Sequence, residues 1–207
     1  MKKLSLFAII FTILLSTSCS KDDPTPEIDQ EEVNAAELVF TEVEREAHGD
    51  HYHYNEIENP DVEHVKFSKE GLPEVGTHLH LEVGKTYKLE LIAKDFAGRE
   101  TQQTFVQRAD IHQAFILGAP EGTFEYAYGD RDADNNKIQV GVTGYLTVAK
   151  EADTFVFRYI MRHLNPGVKA NITAADWNNK DFAKFTGAND IDLQVEVHVV
   201  SDHGHDH

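Results

Sequence analysis

The sequence predicts an all-β fold, an antiparallel β-sandwich of the immunoglobulin-like type with one short helix in a late connection. Apolar and polar residues alternate in several short segments, most regularly over residues 86–93, and this period of two is typical of strands with one buried face. Turn-forming residues separate these segments at fairly regular spacing, for example at 71–73, 97–98 and 118–120. The chain of 207 residues, 41% of them hydrophobic, is long enough for one such domain with its own core.

The predicted elements follow one another in a simple order. Nine segments fit strands: residues 37–43, 64–68, 77–83, 86–93, 114–117, 123–128, 139–148, 154–162 and 191–200. Residues 100–109 fit either a helix or a strand, because Phe105 and Val106 suit both. Thr173 and Asp176 have the spacing of a capping box, which predicts a short helix over residues 177–185.

The N-terminal segment predicts export. A basic start is followed by an apolar run over residues 4–15 and by small residues before Cys19, which is the pattern of a secretory signal peptide. The run is too short to cross a bilayer, which needs about 20 apolar residues. Cys19 is the only cysteine, and its setting resembles the lipidation site of a bacterial lipoprotein. Residues 21–23 resemble the lysine-plus-acidic export tag of surface lipoproteins in the Bacteroidota.

We therefore expect four parts in the chain: a lipoprotein signal peptide at 1–18, a flexible acidic tether at 19–36, a β-sandwich domain at 37–200 and a histidine-rich tail at 201–207. The expected location is the outer membrane, with lipid on Cys19 and the domain exposed at the cell surface. A plain secreted protein with an incidental cysteine is the alternative. The net charge of −17 excludes nucleic acid as a favoured partner and favours cations.

Residues of roughly 80–200 resemble a family of small, histidine-rich, cell-surface lipoproteins of the Bacteroidota. The resemblance rests on five short motifs: KTYKLEL at 85–91, ADIHQ at 109–113, YGDRD at 128–132, MRHL at 161–164 and NDIDL at 189–193. It implies a lipoprotein with a β-sandwich domain, and it draws attention to His112 and His163. The long segment at 170–188 departs from the family pattern.

Twelve histidines are the second unusual feature, and several form local groups. His48, His51 and His53 lie within six residues, with Gly49 free to turn the chain between them. His78 and His80 are two residues apart on a predicted strand, so their side chains share a face. Neutral imidazole is the commonest protein ligand for zinc, copper and nickel. We expect a metal site if the two segments pair, with three or four of the five histidines as ligands.

Two further groups carry weaker signals. His112 and His163 each lie at the end of a predicted strand, where they would form a buried hydrogen-bonded pair, a second metal site or a haem-facing pair. The carboxylates of Asp130, Asp132 and Asp134 alternate as in a calcium loop, but a polar hairpin tip is the favoured interpretation.

The expected function is binding rather than catalysis. No nucleophile elbow, H-E-x-x-H motif or phosphate-binding loop occurs in the sequence, although a metal-dependent hydrolase stays open. The hypothesis is a surface lipoprotein that captures zinc, with copper or nickel as other candidates, and delivers the ion to an outer-membrane transporter such as a TonB-dependent receptor. A haem-binding lipoprotein and a glycan-binding or scaffolding lipoprotein of a nutrient-uptake system are the alternatives.

Overall fold

The computed structural model of the protein describes residues 33–201. The expected signal peptide, the lipid site Cys19, residues 19–32 of the expected tether and nearly all of the histidine-rich tail lie outside the described residues. The domain itself begins slightly earlier than predicted, because its first strand starts at Ala35.

The described part of the chain is built from ten strands in two sheets. In chain order they are β1 (Ala35–His48), β2 (His51–Glu56), β3 (Val62–Phe67), β4 (His78–Glu82), β5 (Thr86–Lys94), β6 (His112–Leu117), β7 (Phe124–Tyr128), β8 (Thr143–Val148), β9 (Phe155–Leu164) and β10 (Gly187–Val200). The first sheet has the order β2-β1-β5-β8-β7, with β3 also paired to β1, and the second has the order β4-β10-β9-β6. The predicted all-β sandwich is confirmed.

One strand pair departs from the antiparallel pattern. β4 runs parallel to β10, with His80 opposite His198 and His78 opposite Glu196, whereas the other pairs in both sheets are antiparallel. A parallel pair needs a long crossover connection, and the chain between β4 and β10 contains most of the rest of the domain. The parallel pair brings together histidines that are far apart in the sequence.

The core lies between the two sheets. Alternate residues of most strands point inward, such as Leu38 and Phe40 of β1 and Phe157 and Tyr159 of β9, and all four are fully buried. The Phe40 and Phe157 rings meet edge to face across the sandwich, with centroids 5.9 Å apart. A smaller apolar cluster lies on the other face of the second sheet, around Phe115 and the adjoining residues Leu164, Ile172 and Phe185.

Helical structure is short. The ambiguous segment at 100–109 forms one α-helix, α1 (Gln102–Gln107). The late connection that was predicted to hold one short helix at 177–185 contains short 3-10 helices at Ala174–Asn178 and Phe182–Lys184, and a third precedes them at Val168–Asn171. The capping box is present, but Asn179 is extended and bonds through its side chain to Asp176 and Asp181, which interrupts the helix.

Candidate metal centres

The first histidine group lies at the tip of the hairpin formed by β1 and β2. His48 ends β1, His51 begins β2, and the two residues are opposite each other across the ladder. The connecting loop has only two residues, and Gly49 takes a positive φ of 66°, which glycine adopts without strain. Since cross-strand partners and residues two apart share a face, His48, His51 and His53 project together.

These three residues form what we call the tip cluster, and their geometry suits a metal ion. One ligand nitrogen from each lies within 4.8 Å of the others, and the ring centroids are 5.1–5.6 Å apart. The Nε2 atoms of His51 and His53 are 3.2 Å apart. A tetrahedral zinc centre with Zn–N distances of about 2.0–2.1 Å separates neighbouring ligand atoms by about 3.3 Å.

Asp50, in the turn between β1 and β2, contacts one histidine of the tip cluster. Its Oδ1 is 3.1 Å from Nδ1 of His51. A carboxylate that accepts the Nδ1–H of an imidazole leaves Nε2 unprotonated, which is the form that binds metals. All three histidines are exposed, so an ion can reach the cluster from solvent.

A second group, the edge cluster, lies in the second sheet. His78 and His80 of β4 stand beside His198 of β10, and the three ring centroids are 4.7–5.4 Å apart. Nε2 of His198 is 2.8 Å from Oε1 of Glu196, and Nδ1 of His78 is 3.0 Å from the Gly76 carbonyl oxygen. The sequence predicted the first two residues. His198 joins them only through the parallel pairing of β4 with β10.

The predicted single site of five histidines does not form. His48, His51 and His53 belong to the first sheet, whereas His78 and His80 belong to the second, and β2 and β4 are not paired. β2 pairs with β1 at one edge of the first sheet, and β4 pairs with β10 at one edge of the second sheet. The histidines therefore divide into two separate exposed clusters.

The third group is buried. His112 of β6 is directly opposite His163 of β9, and both face Asp190 of β10. Oδ2 of Asp190 is 3.2 Å from Nε2 of His112 and 3.5 Å from Nδ1 of His163. The side chains of His112, His163 and Asp190 are 0%, 7% and 0% exposed. We call these three residues the buried triad.

A β-bulge explains how Asp190 reaches the two histidines. The register of β10 against β9 shifts between Asn189 and Ile191, so Asp190 is the extra residue. Bulges re-aim a side chain in this way and are frequent beside functional sites. Sequence reasoning missed Asp190 as a site residue, although it lies in one of the motifs that carry the family resemblance. A bulge has no clear local signal.

Lys169 connects a 3-10 segment to the strand that carries His112. Lys169 donates hydrogen bonds to the carbonyl oxygens of His112 and Gln139. Burial lowers the pKa of Lys169 to about 8, against the opposing effect of the nearby carboxylates of Asp130 and Asp110. The 3-10 segment that carries Lys169 is thereby fixed to the start of β6.

Residues 130–136 form a polar hairpin tip, which was the interpretation favoured over a calcium loop. Asp132 accepts hydrogen bonds from the backbone N–H groups of Asp134 and Asn136, which is a side-chain-stabilised turn. Asp130 points inward and accepts from the N–H groups of Gly141 and Thr143. Among the residues that the structure describes, these carboxylates do not converge on one point as metal ligands would.

The fold and the histidine groups define the class of protein as a β-sandwich with candidate metal centres. No protein-family model, curated protein or solved structure matches this chain. Over residues 33–201, no helix has both the length and the apolar character needed to cross a membrane.

Proposed function

We propose that this chain is a binding protein that captures a divalent transition-metal ion, with zinc as the first candidate, through exposed histidines. The observation that carries the proposal is the tip cluster, where three imidazoles place their ligand nitrogens within 4.8 Å of one another. A polar loop has no need to hold three imidazoles in this arrangement, because each would be better solvated apart.

The exposure of the tip cluster favours capture over permanent storage. Structural zinc sites are closed by four protein ligands, whereas an exposed site with three leaves a position open to water or to a receiving ligand. The net charge of −17 attracts cations toward the surface and raises their local concentration. The edge cluster adds three neighbouring imidazoles in the other sheet, but its ligand atoms are not all within 4.8 Å of one another as those of the tip cluster are.

Ligand type favours zinc over copper(I). After the expected removal of the signal peptide, Met161 is the only methionine, and it is fully buried in the core, while the sulfur of Cys19 is expected to carry the lipid. Soft sulfur ligands, which select copper(I), are therefore not offered at these clusters. Copper(II) and nickel share the preference for imidazole and are the competing ions in any test.

The N-terminal pattern supports a role in uptake. A lipid on Cys19 would hold the domain at the outer membrane, and a TonB-dependent receptor is the proposed recipient of the ion. The open coordination position at the tip cluster suits such transfer, because an incoming ligand can bind before the histidines release the metal.

Calorimetric titration with zinc tests this function. The chain to use carries alanine at His203, His205 and His207, so that the tail contributes no ligands. We expect micromolar or tighter binding, and His51→Ala with His53→Ala should weaken the tip-cluster phase by about 100-fold or more, since two of its three ligands are lost.

The matched control is His64→Ala. His64 is also exposed, but it lies outside both clusters and its Nδ1 is paired with Glu37 at 2.8 Å. Its removal should leave the titration unchanged. A companion variant with alanine at His78, His80 and His198 separates the edge cluster from the tip cluster. Zinc binding that survives removal of both clusters unchanged would contradict capture by these histidines.

A glycan-binding function is the second candidate, and one feature favours it. Tyr54 and Tyr145 stack with ring centroids 3.8 Å apart, and Tyr52 lies beside them under Arg45, next to a groove of about 550 Å³. Tyr52 is exposed and the other two rings are half-buried, and aromatic rings that border a groove can stack on sugar rings. The haem-binding alternative has no such structural support, because His112 and His163 are buried against Asp190.

The two candidates respond differently to Tyr145→Ala. Under metal capture the variant should bind zinc with unchanged affinity, because Tyr145 provides no metal ligand. Under glycan binding it should lose retention on immobilised oligosaccharides, measured by affinity electrophoresis in gels containing them. A wild-type chain that is retained there in the presence of a chelator would favour the second candidate.

A further inference from the structure

We infer that His112, His163 and Asp190 form a closed site for a resident divalent metal ion, zinc in class, which fastens three strands of the second sheet. This site differs from the proposed capture clusters in burial and in ligand chemistry, and it stands independently of them. It depends on four observations about the buried triad.

The first observation is unsatisfied hydrogen-bonding capacity. Within residues 33–201, eight buried side-chain nitrogen or oxygen atoms have no hydrogen-bond partner, and four of the eight are Nε2 of His112, Nδ1 of His163 and both carboxylate oxygens of Asp190. Buried polar atoms are rarely left without a partner, because they lose their hydration and gain nothing in return. Their concentration at one point indicates a missing partner there.

The second observation is the tautomer of His112. Its Nδ1 is 3.0 Å from the carbonyl oxygen of Arg108, which can only accept, so Nδ1 carries the hydrogen. The Nε2 atom of neutral His112 is then unprotonated and lies 3.2 Å from Oδ2 of Asp190. Two lone pairs at 3.2 Å repel unless a cation lies between them. The Nδ1–H to carbonyl bond is the arrangement that orients metal-bound histidines.

The third observation is distance. The separations of 3.2 Å and 3.5 Å from Oδ2 of Asp190 to the two histidine nitrogens bracket the ligand–ligand distance of about 3.3 Å in a tetrahedral zinc centre. The three ligand atoms lie within 4.8 Å of one another. A proton on His112 would satisfy one of these contacts, whereas a metal ion satisfies all of them together.

The fourth observation is that the three residues of the site come from three adjacent strands. His112, His163 and Asp190 belong to β6, β9 and β10, which are neighbours in the second sheet. The His112 ring also contacts Phe105 of α1, with centroids 5.1 Å apart. A metal ion at this position would join three strands at one end of the sheet, beside α1, and the burial of its ligands would slow its exchange.

The ligand set defines the class of ion. Two neutral imidazoles and one carboxylate carry a single negative charge and no sulfur, which suits zinc and also cobalt(II), and disfavours copper(I). Calcium and magnesium prefer sites made wholly of oxygen ligands. Zinc and cobalt(II) salts are therefore the probes for the test.

The test uses a reference chain, which is the full chain with alanine at the histidines of the tip cluster, the edge cluster and the tail. The replaced residues are His48, His51, His53, His78, His80, His198, His203, His205 and His207. The buried triad is then the remaining histidine group with metal-binding geometry among the described residues. We expect native mass spectrometry to find one zinc ion per chain after refolding with zinc. The thermal midpoint of the zinc-loaded chain should exceed that of the chain refolded with a chelator.

Asp190→Asn is the deciding variant, because it keeps the size of the side chain and removes the negative ligand. It should hold no zinc, and its thermal midpoint should be the same with zinc and with chelator. The matched control is Asp192→Asn, two residues along the same strand, where the carboxylate pairs with Arg158 rather than with the buried triad. That variant should keep the zinc ion and its effect on the midpoint.

A second readout covers the case in which Asp190→Asn does not fold. The reference chain refolded with cobalt(II) should show the strong visible absorption of tetrahedral cobalt, and X-ray absorption should find imidazole nitrogen in its first coordination sphere. A reference chain that binds neither ion, with a midpoint indifferent to both, would overturn the inference and leave the triad as an imidazolium–carboxylate pair. Because the capture clusters are absent from this chain, the result is independent of whether they bind metal.

Discussion

Replacing Phe157 with alanine is expected to destabilise the domain by about 3–5 kcal/mol, the range for removing a buried aromatic side chain. Phe157 lies on β9 with no exposed surface, and its ring meets those of Phe40 and Phe124, both on the opposite sheet. The alanine variant loses these contacts and leaves a cavity between the layers. Urea unfolding followed by fluorescence of Trp177 would measure the loss as a lower midpoint.

Phe96→Ala is the control for this prediction. Phe96 is 73% exposed, so its truncation should change the free energy of unfolding by less than about 0.5 kcal/mol. The contrast between two phenylalanines tests the assignment of the sandwich core directly. Equal effects at the two positions would mean that β9 does not face the first sheet as described.

Asp130 is expected to make stability depend on pH in an unusual direction. Burial raises the pKa of Asp130 to about 6, although the backbone N–H groups of Gly141 and Thr143 oppose the shift. The folded state therefore binds this proton more tightly than the unfolded chain. The stabilisation is fully present below a pH of about 4, and about 3 kcal/mol of it is lost as the pH rises through 6.

The measurement compares wild type with Asp130→Asn from pH 4 to pH 7. The N–H groups of Gly141 and Thr143 bond to different oxygens of Asp130, and asparagine has an amide NH2 group in place of one of them, so one of these hydrogen bonds is lost in the variant. Its side chain does not titrate, so the stability of the wild type relative to the variant should fall by about 2 kcal/mol between pH 4 and pH 7. A constant difference across that range would contradict the raised pKa.

Asp132→Asn provides a control with the opposite sign. Hydrogen bonds from the side chain and backbone of Asn136 hold the pKa of exposed Asp132 below its usual value. A lowered pKa in the folded state stabilises the protein above the unfolded pKa, and this contribution is lost as the pH falls. The advantage of the wild type over Asp132→Asn should therefore grow with rising pH, the reverse of the trend for Asp130.

The three histidine groups differ in what each could do with a metal ion. The tip and edge clusters are open to solvent and belong to different sheets. Of these two, the tip cluster is the one whose three ligand atoms lie within 4.8 Å of one another, which suits reversible capture there. The buried triad has ligands that are almost completely shielded from solvent, and it joins three adjacent strands. In this proposal one chain uses the same residue type for exchange at the surface and for stability inside.

Local patterns in the sequence predicted much of the fold. Alternation of apolar and polar residues placed β5 and β9 within about two residues of their observed ends, because the side-chain period of a strand depends on the chain alone. The second strand of the first hairpin, β2, was not predicted, because its four central residues are all polar or aromatic and exposed or half-buried. The segment at 177–185 is divided between two 3-10 helices, because the side chain of Asn179 accepts a hydrogen bond from the backbone N–H of Asp181.

The candidate sites follow the same division between local and distant contacts. The tip cluster was predictable, because its three histidines lie within six residues and a glycine turn brings them together. The sequence by itself also determined that His78 and His80 share a face. Only the tertiary structure added His198 and Asp190, through a parallel strand pair and a β-bulge. Partner strands and bulges are selected by packing of the whole sandwich, and no short stretch of sequence contains that information.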